Sequence, residues 1–124
     1  MARDALRSVR VLVLDDDELI RTLGRRTLAA VGATVECVAN AREALQTLLR
    51  QDFDVVVVDL RMQEMDGMTF IREARNIWPW LGFLILTGYA DEESKQQADA
   101  LGINRILEKP LSPSVLQQNV LDEV

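Results

Sequence analysis

The 124-residue sequence predicts an α/β fold: a doubly wound, five-stranded parallel sheet built from five consecutive strand–helix units. Three observations predict it. Short, largely apolar runs recur along the chain. The stretches between them switch to a helical period. Each switch is marked by a residue that starts or stops a helix.

The strands come first. VRVLVL (9–14), VVVV (55–58) and FLIL (83–86) are too short for helices and rich in β-branched or large aliphatic residues. Continuous apolar runs suit strands covered on both faces, as in a parallel sheet. ATVECV (33–38) alternates and INRILE (103–108) is more polar, so both suit half-exposed edge strands. Between them, Leu19, Leu23, Leu28 and Val31 trace one helix face, and Gly32 ends that helix. Asn40 with Glu43 forms a capping-box start, followed by the stripe Ala44, Leu45, Leu48 and Leu49. Asp66–Gly67 is turn and helix-start chemistry ahead of Phe70, Ile71, Ala74 and Ile77, and Pro79 stops that helix. Asp91, Glu92 and Glu93 place negative charge where a helix dipole favours it, and Gly102 closes the fourth helix. Ser112 with Pro113 opens a fifth. Right-handed crossovers between such units give an open sheet with helices on both faces.

Composition narrows the function. The length is that of one domain, taken as residues 1–124, and 48% hydrophobic content supplies a real core. The last helix has only about three turns, which leaves room for the chain to be the front of a longer protein. A net charge of −6 argues against direct nucleic-acid binding by this domain. Histidine is absent, which excludes imidazole metal sites and histidine acid–base catalysis within the chain. The single Cys37 allows no internal disulfide and fits a reducing, cytoplasmic setting. It reads as a small hydrophobe rather than a reactive thiol. The first ten residues lack a signal-peptide core, and no apolar run is long enough to span a bilayer.

In open α/β sheets the ligand site lies beyond the carboxyl ends of the strands, where the strand order reverses. The first strand delivers Asp15, Asp16 and Asp17 there, the third Asp59 and then Arg61, the fourth Thr87, and the fifth Lys109. Clustered carboxylates need a cation or raised pKa values. Oxygen donors without histidine or thiolate suit Mg²⁺, with Mn²⁺ as the alternative. A hydroxyl and an ammonium facing that cation suit phosphoryl oxygens. The set reads as a phosphoryl site with a carboxylate nucleophile.

LVLDDDEL, VVVVDLRMQEMDG, ILTGYAD and ILEKPLSP together resemble the motifs of receiver domains of two-component response regulators. The resemblance covers nearly the whole chain, in order and at family spacing. It implies the flavodoxin-like strand order 2-1-3-4-5 and a signalling switch rather than a turnover enzyme. It implies Asp59 as the acceptor of a phosphoryl group from a histidine kinase or phosphotransfer protein. Asp16 resembles the acid that binds Mg²⁺ directly, Asp15 the one acting through water, and the Arg61 carbonyl the third protein ligand. Thr87 resembles the switch hydroxyl. Lys109 resembles the cation that pairs with Asp59 and later with the phosphoryl group, followed by a cis bond to Pro110. The implied output is the face formed by the fourth helix, fifth strand and fifth helix, acting on an effector domain in cis or through a homodimer.

The chain also departs from the family pattern. Gln63–Glu64 stands where Pro–Gly is usual, and Leu111 where Phe is usual. Arg61 and Tyr89 occupy positions that tune the lifetime of the acyl phosphate in the family. Ile106 replaces the usual aromatic residue, which puts signalling through a swinging ring in question and leaves phosphorylation untouched. Two other readings compete. Asp15-x-Asp17, LILT and Lys109 imitate a small haloacid-dehalogenase-like phosphatase, although Leu19 sits where Thr or Val is expected and Asp59 is left unexplained. A pseudo-receiver that only binds protein is the other, opposed by the complete acid–Thr–Lys set. For Asp15 to Asp17 alone, the plain alternative is helix capping, for which one aspartate suffices.

Overall fold

Alternation of side chains along parallel strands divides the core in two. The computed structural model describes residues 2–62 and 65–124, so the Gln63–Glu64 departure lies outside the described residues. Within them the order is β1 (Arg10–Leu14), α1 (Glu18–Ala29), β2 (Thr34–Val38), α2 (Ala41–Arg50), β3 (Val55–Val58), α3 (Gly67–Ile77), β4 (Gly82–Thr87), α4 (Glu92–Ala100), β5 (Ile106–Glu108) and α5 (Pro113–Glu123). The strands form one parallel sheet in the order β2-β1-β3-β4-β5, as the resemblance implies.

Leu12, Leu14, Val56, Val58, Phe83 and Ile85 face one side, against Ala44 and Leu48 of α2 and Phe70, Ile71 and Ala74 of α3. Val11, Val13, Val55, Val57, Leu84 and Leu86 face the other, against Ile20 and Leu28 of α1 and Leu116 and Val120 of α5. A period of two therefore feeds two cores, and this is why residues 11–14, 55–58 and 83–86 are continuous apolar runs. The Phe70 and Phe83 rings meet edge to face at 6.4 Å between centroids.

The helix starts follow the sequence. Asp17, Asn40, Asp66 and Asp91 each cap a helix, their side chains accepting backbone N–H bonds from Leu19, Glu43, Thr69 and Ser94. Ser112 occupies the corresponding place on α5, but its side chain makes no cap bond there, and Pro113 begins the helix.

Three helix faces differ from expectation. Leu19 and Leu23 are 62% and 38% exposed, and the buried stripe of α1 is Ile20, Gly24, Thr27 and Leu28. Gly24 faces β1, where a Cβ would meet the Val13 side chain at 3.6 Å, an ordinary contact. Leu49 and Ile77 are likewise exposed at the ends of their stripes. The fifth strand is three residues long rather than six, because Ile103 enters the core from a turn whose N–H bonds Ala98 O. Leu6, in the segment ahead of β1, is fully buried, with its N–H donating to Val31 O at 2.8 Å.

Leu12→Ala should cost about 2–5 kcal/mol through the cavity it opens in the core. Leu19→Ala should stay within about 0.5 kcal/mol. Urea midpoints of the two variants check this, and equal midpoints would contradict the assigned face of α1.

Candidate functional site

Strand register brings the site residues to one rim. Leu14 of β1 is level with Val58 of β3, and Val58 with Ile85 of β4. Asp15 and Asp59 are the next residues on their strands. The Asp15 N–H donates to Val38 O at 3.2 Å and the Asp59 N–H to Leu14 O at 2.9 Å, so both are held by continuations of the sheet ladder. On the other side of β4, the Lys109 N–H donates to Thr87 O at 2.7 Å. The Lys109–Pro110 bond is cis.

The first acid is fixed from three directions. Asp15 is 1% exposed and its Oδ1 accepts the Asp17 N–H at 2.9 Å. Arg21 Nη1 donates to its carbonyl oxygen at 2.9 Å. Asp17 caps α1, its Oδ1 accepting the Leu19 N–H at 2.9 Å. Asp16, between them, is exposed. Asp59 is 5% exposed, and its Oδ1 accepts the Arg61 N–H at 3.2 Å. Ligand oxygens of Asp15, Asp16 and Asp59 all lie within 4.8 Å of one another.

Among the described residues, one ammonium pairs with two of these three carboxylates. Lys109 Nζ lies 2.9 Å from Asp15 Oδ2 and 3.6 Å from Asp59 Oδ2, so its nearer partner is Asp15. Burial pushes the Asp59 carboxyl above the usual aspartate range, helped by the charge of Asp15, while the Arg61 N–H and Lys109 pull the other way. Burial alone would lower the Lys109 pKa, but its contacts with Asp15 and Asp59 outweigh this and hold it above the ordinary lysine value. An all-oxygen cluster, mostly buried and short of positive charge, has the donor set of a hard divalent cation.

Thr87 is completely buried, and its Oγ1 lies 3.4 Å from the Tyr89 N–H donor, a long bond. The Arg61 side chain leaves the rim and lies with its guanidinium carbon 5.7 Å from the Tyr89 ring centroid. Cys37 is half-buried, with burial raising its thiol pKa, in keeping with a packing role. Ile106 packs at the edge of the core and lines a groove of about 430 Å³ between α4 and β5, with Lys95, Gln96, Asp99 and Ile103.

Sequence reasoning missed why position 67 is glycine. A Cβ there would sit 2.6 Å from the Asp59 carbonyl oxygen and 2.8 Å from Leu60 Cα. The start of α3 therefore presses directly on the backbone that carries Asp59, and only a hydrogen fits. The sequence signal was the Asp–Gly pair, which reads equally well as an ordinary turn.

Comparison with known proteins gives the following. The family model for the response regulator receiver domain matches residues 11–121. The chain is 36% identical to the sensor kinase CckA of Brucella abortus over 96% of its own length and 13% of the kinase. It is 35% identical to the transcriptional regulatory protein GlrR of Escherichia coli over 90% of its length and 25% of that protein. Thus it spans an eighth to a quarter of these relatives. Among solved structures, the chemotaxis protein CheY4 of Vibrio cholerae superimposes with a TM-score of 0.89 at 32% identity, covering 94% of this chain and 98% of that one.

The charge balance sets a pH dependence. A carboxyl whose folded pKa is raised favours the folded state while protonated and penalises it once ionised. In metal-free buffer, Asp59→Asn should therefore melt higher than the parent at pH 7. The gap should close as pH falls below about 4, where the unfolded aspartate is protonated too. Lys109→Met should melt lower at pH 7, and that deficit should fade only as pH rises through the raised lysine pKa. Melting curves across pH check both, and an Asp59→Asn protein less stable than the parent at pH 7 would contradict the burial penalty.

Proposed function

The chain belongs to the response regulator receiver domain family, and on that premise we propose that residues 1–124 act as one phosphorylation-dependent switch whose acceptor is Asp59. Receiver domains are signalling domains rather than turnover enzymes. The observation that carries the assignment is the placing of a buried carboxylate with a raised pKa beside both a lysine and two further acids.

Asp59 Oδ attacks the phosphorus in line. Its new O–P bond forms as the N–P bond of a donor phosphohistidine breaks, and the imidazole nitrogen keeps the electron pair. A small acyl phosphate serves as an alternative donor through its own leaving oxygen. Asp15, Asp16, Asp59 and the Arg61 carbonyl are the groups that would hold Mg²⁺ or Mn²⁺, which when bound supplies positive charge to the acids and to the incoming phosphoryl oxygens. Lys109 sits between Asp15 and Asp59 and can pass from a carboxylate to a phosphoryl oxygen with little movement. Thr87 Oγ1 makes two long bonds to the Tyr89 backbone, donating to its carbonyl oxygen and accepting from its N–H, each at 3.4 Å, so its hydroxyl is cheaply released to the phosphoryl group. Catalysis here is positioning and electrostatic stabilisation.

The phosphoryl group then shifts a two-state equilibrium in the loop after β4 and on the α4–β5–α5 face. With Ile106 in place of a ring, that face changes through the loop and α4 rather than through an aromatic rotamer. The output partner is an effector domain in cis or a second copy through this face, and the donor is a histidine kinase or phosphotransfer protein. The setting is cytoplasmic; among the described residues no helix is long and apolar enough to cross a membrane. The phosphatase alternative needs Asp17 as a working acid, but its side chain is engaged in capping α1. The pseudo-receiver alternative is disfavoured by the assembled cluster of acids and Lys109.

With Mg²⁺ and a phosphohistidine donor, the chain should take up a single base-labile phosphate. Asp59→Asn should take up none, and chelation with EDTA should stop the transfer. Phosphate incorporation read by mass spectrometry decides it; label retained in Asp59→Asn would overturn the assignment.

A further inference from the structure

Two loops flank the acceptor, and among the described residues the Arg61 side chain joins them. Arg61, two residues beyond Asp59, reaches Tyr89 and Asp91, which follow Thr87 in the loop after β4. Its guanidinium carbon is 5.7 Å from the Tyr89 ring centroid, and its Nη2 is 3.9 Å from Asp91 Oδ2. Each contact leads further. Asp91 caps α4 through Oδ1, which accepts the Ser94 N–H at 2.8 Å. The Tyr89 backbone N–H donates to Thr87 Oγ1. At its root, Arg61 is tied to the acceptor by its own N–H on Asp59 Oδ1. One arginine thus connects Asp59, the neighbourhood of the Thr87 hydroxyl and the first turn of α4.

The strength of the connection matters. The Arg61 and Asp91 side chains are 68% and 34% exposed, so this ion pair is weak and readily exchanged. Capping does not require it, because a neutral asparagine caps a helix equally well. A phosphoryl group on Asp59 carries about two negative charges and three strong acceptor oxygens, and so competes well for a planar guanidinium.

We propose that Arg61 is a partner-exchanging positioning residue: without phosphate it straps the β4–α4 loop through Tyr89 and Asp91, and with phosphate it turns to the phosphoryl oxygens and releases Asp91. The strap then opposes the active arrangement, and its loss is part of what phosphorylation achieves. A ligand shifts such an equilibrium only by its differential affinity, so weakening the strap tightens binding of any phosphoryl mimic. This inference rests on the reading of Asp59 as phosphoryl acceptor.

The test is a double-mutant cycle read by beryllofluoride affinity in the presence of Mg²⁺. Asp91→Asn keeps the cap and removes the charge that holds Arg61. It should bind beryllofluoride about two- to fivefold more tightly than the parent, the range of an exposed ion pair. In an Arg61→Ala background the same change should leave affinity unaltered. Amide exchange over residues 89–94 without ligand should be faster in Asp91→Asn and in Arg61→Ala than in the parent. An Asp91→Asn effect of equal size in both backgrounds would overturn the exchange, since Asp91 would then act by its charge alone. An unchanged affinity in Asp91→Asn would overturn it too. A parent protein that binds no beryllofluoride would instead remove the acceptor reading beneath it.

Discussion

Three carboxylates, from Asp15, Asp16 and Asp59, offer oxygens within 4.8 Å of one another, and among the described residues one ammonium, that of Lys109, pairs with two of them. Two of the three side chains are buried, so water screens their repulsion poorly. Much of the local architecture serves to hold this arrangement. Level ends on β1 and β3 place Asp15 and Asp59 side by side. Arg21 grips the Asp15 carbonyl, and the N–H groups of Asp17 and Arg61 satisfy one oxygen each of Asp15 and Asp59. Gly67 lets α3 press against the backbone of Asp59. A site that opposes its own folding in the absence of a cation is expected where function, not stability, sets the residues.

The rest of the molecule supplies rigidity to that rim. Both faces of the sheet are covered, and the alternating apolar side chains of β1, β3 and β4 are buried in one core or the other. Strand ends are therefore poor places for movement and good places for exact geometry. What can move is attached to them: the loop carrying Tyr89 and Asp91, and α4, which buries only Ala98. The groove beside Ile106 lies on this same side. Arg61 spans the rim and that loop, from the backbone beside Asp59 to Tyr89 and Asp91.

The fold was legible because the three central strands are hydrophobic on both faces and four of the five helices are capped by aspartate or asparagine, signals local to a few residues. The placing of the rim acids, Thr87 and Lys109 was legible for the same reason, since each ends a strand or follows one within two residues. The buried face of α1 was not, because Leu19 and Leu23 outweigh Gly24 and Thr27 in any reading by hydrophobicity, while it is the latter pair that is buried. Leu6 was hidden in a polar, turn-rich segment whose one apolar anchor carries no period. The preference of Lys109 for Asp15 over Asp59 depends on distances between strands that no local motif encodes. The same holds for the link from Arg61 to Asp91, which joins loops thirty residues apart in sequence.

The central claim is that the acid cluster is a cation site and not a set of helix caps. Titration calorimetry of the metal-free protein with Mg²⁺, repeated on Asp16→Asn, tests it most directly. Asp16 is exposed and plays no part in capping, so its loss should leave the fold intact. Saturable binding of one Mg²⁺ by the parent, greatly weakened in Asp16→Asn, is the predicted result. Binding that is absent in the parent, or equal in the two proteins, would contradict it.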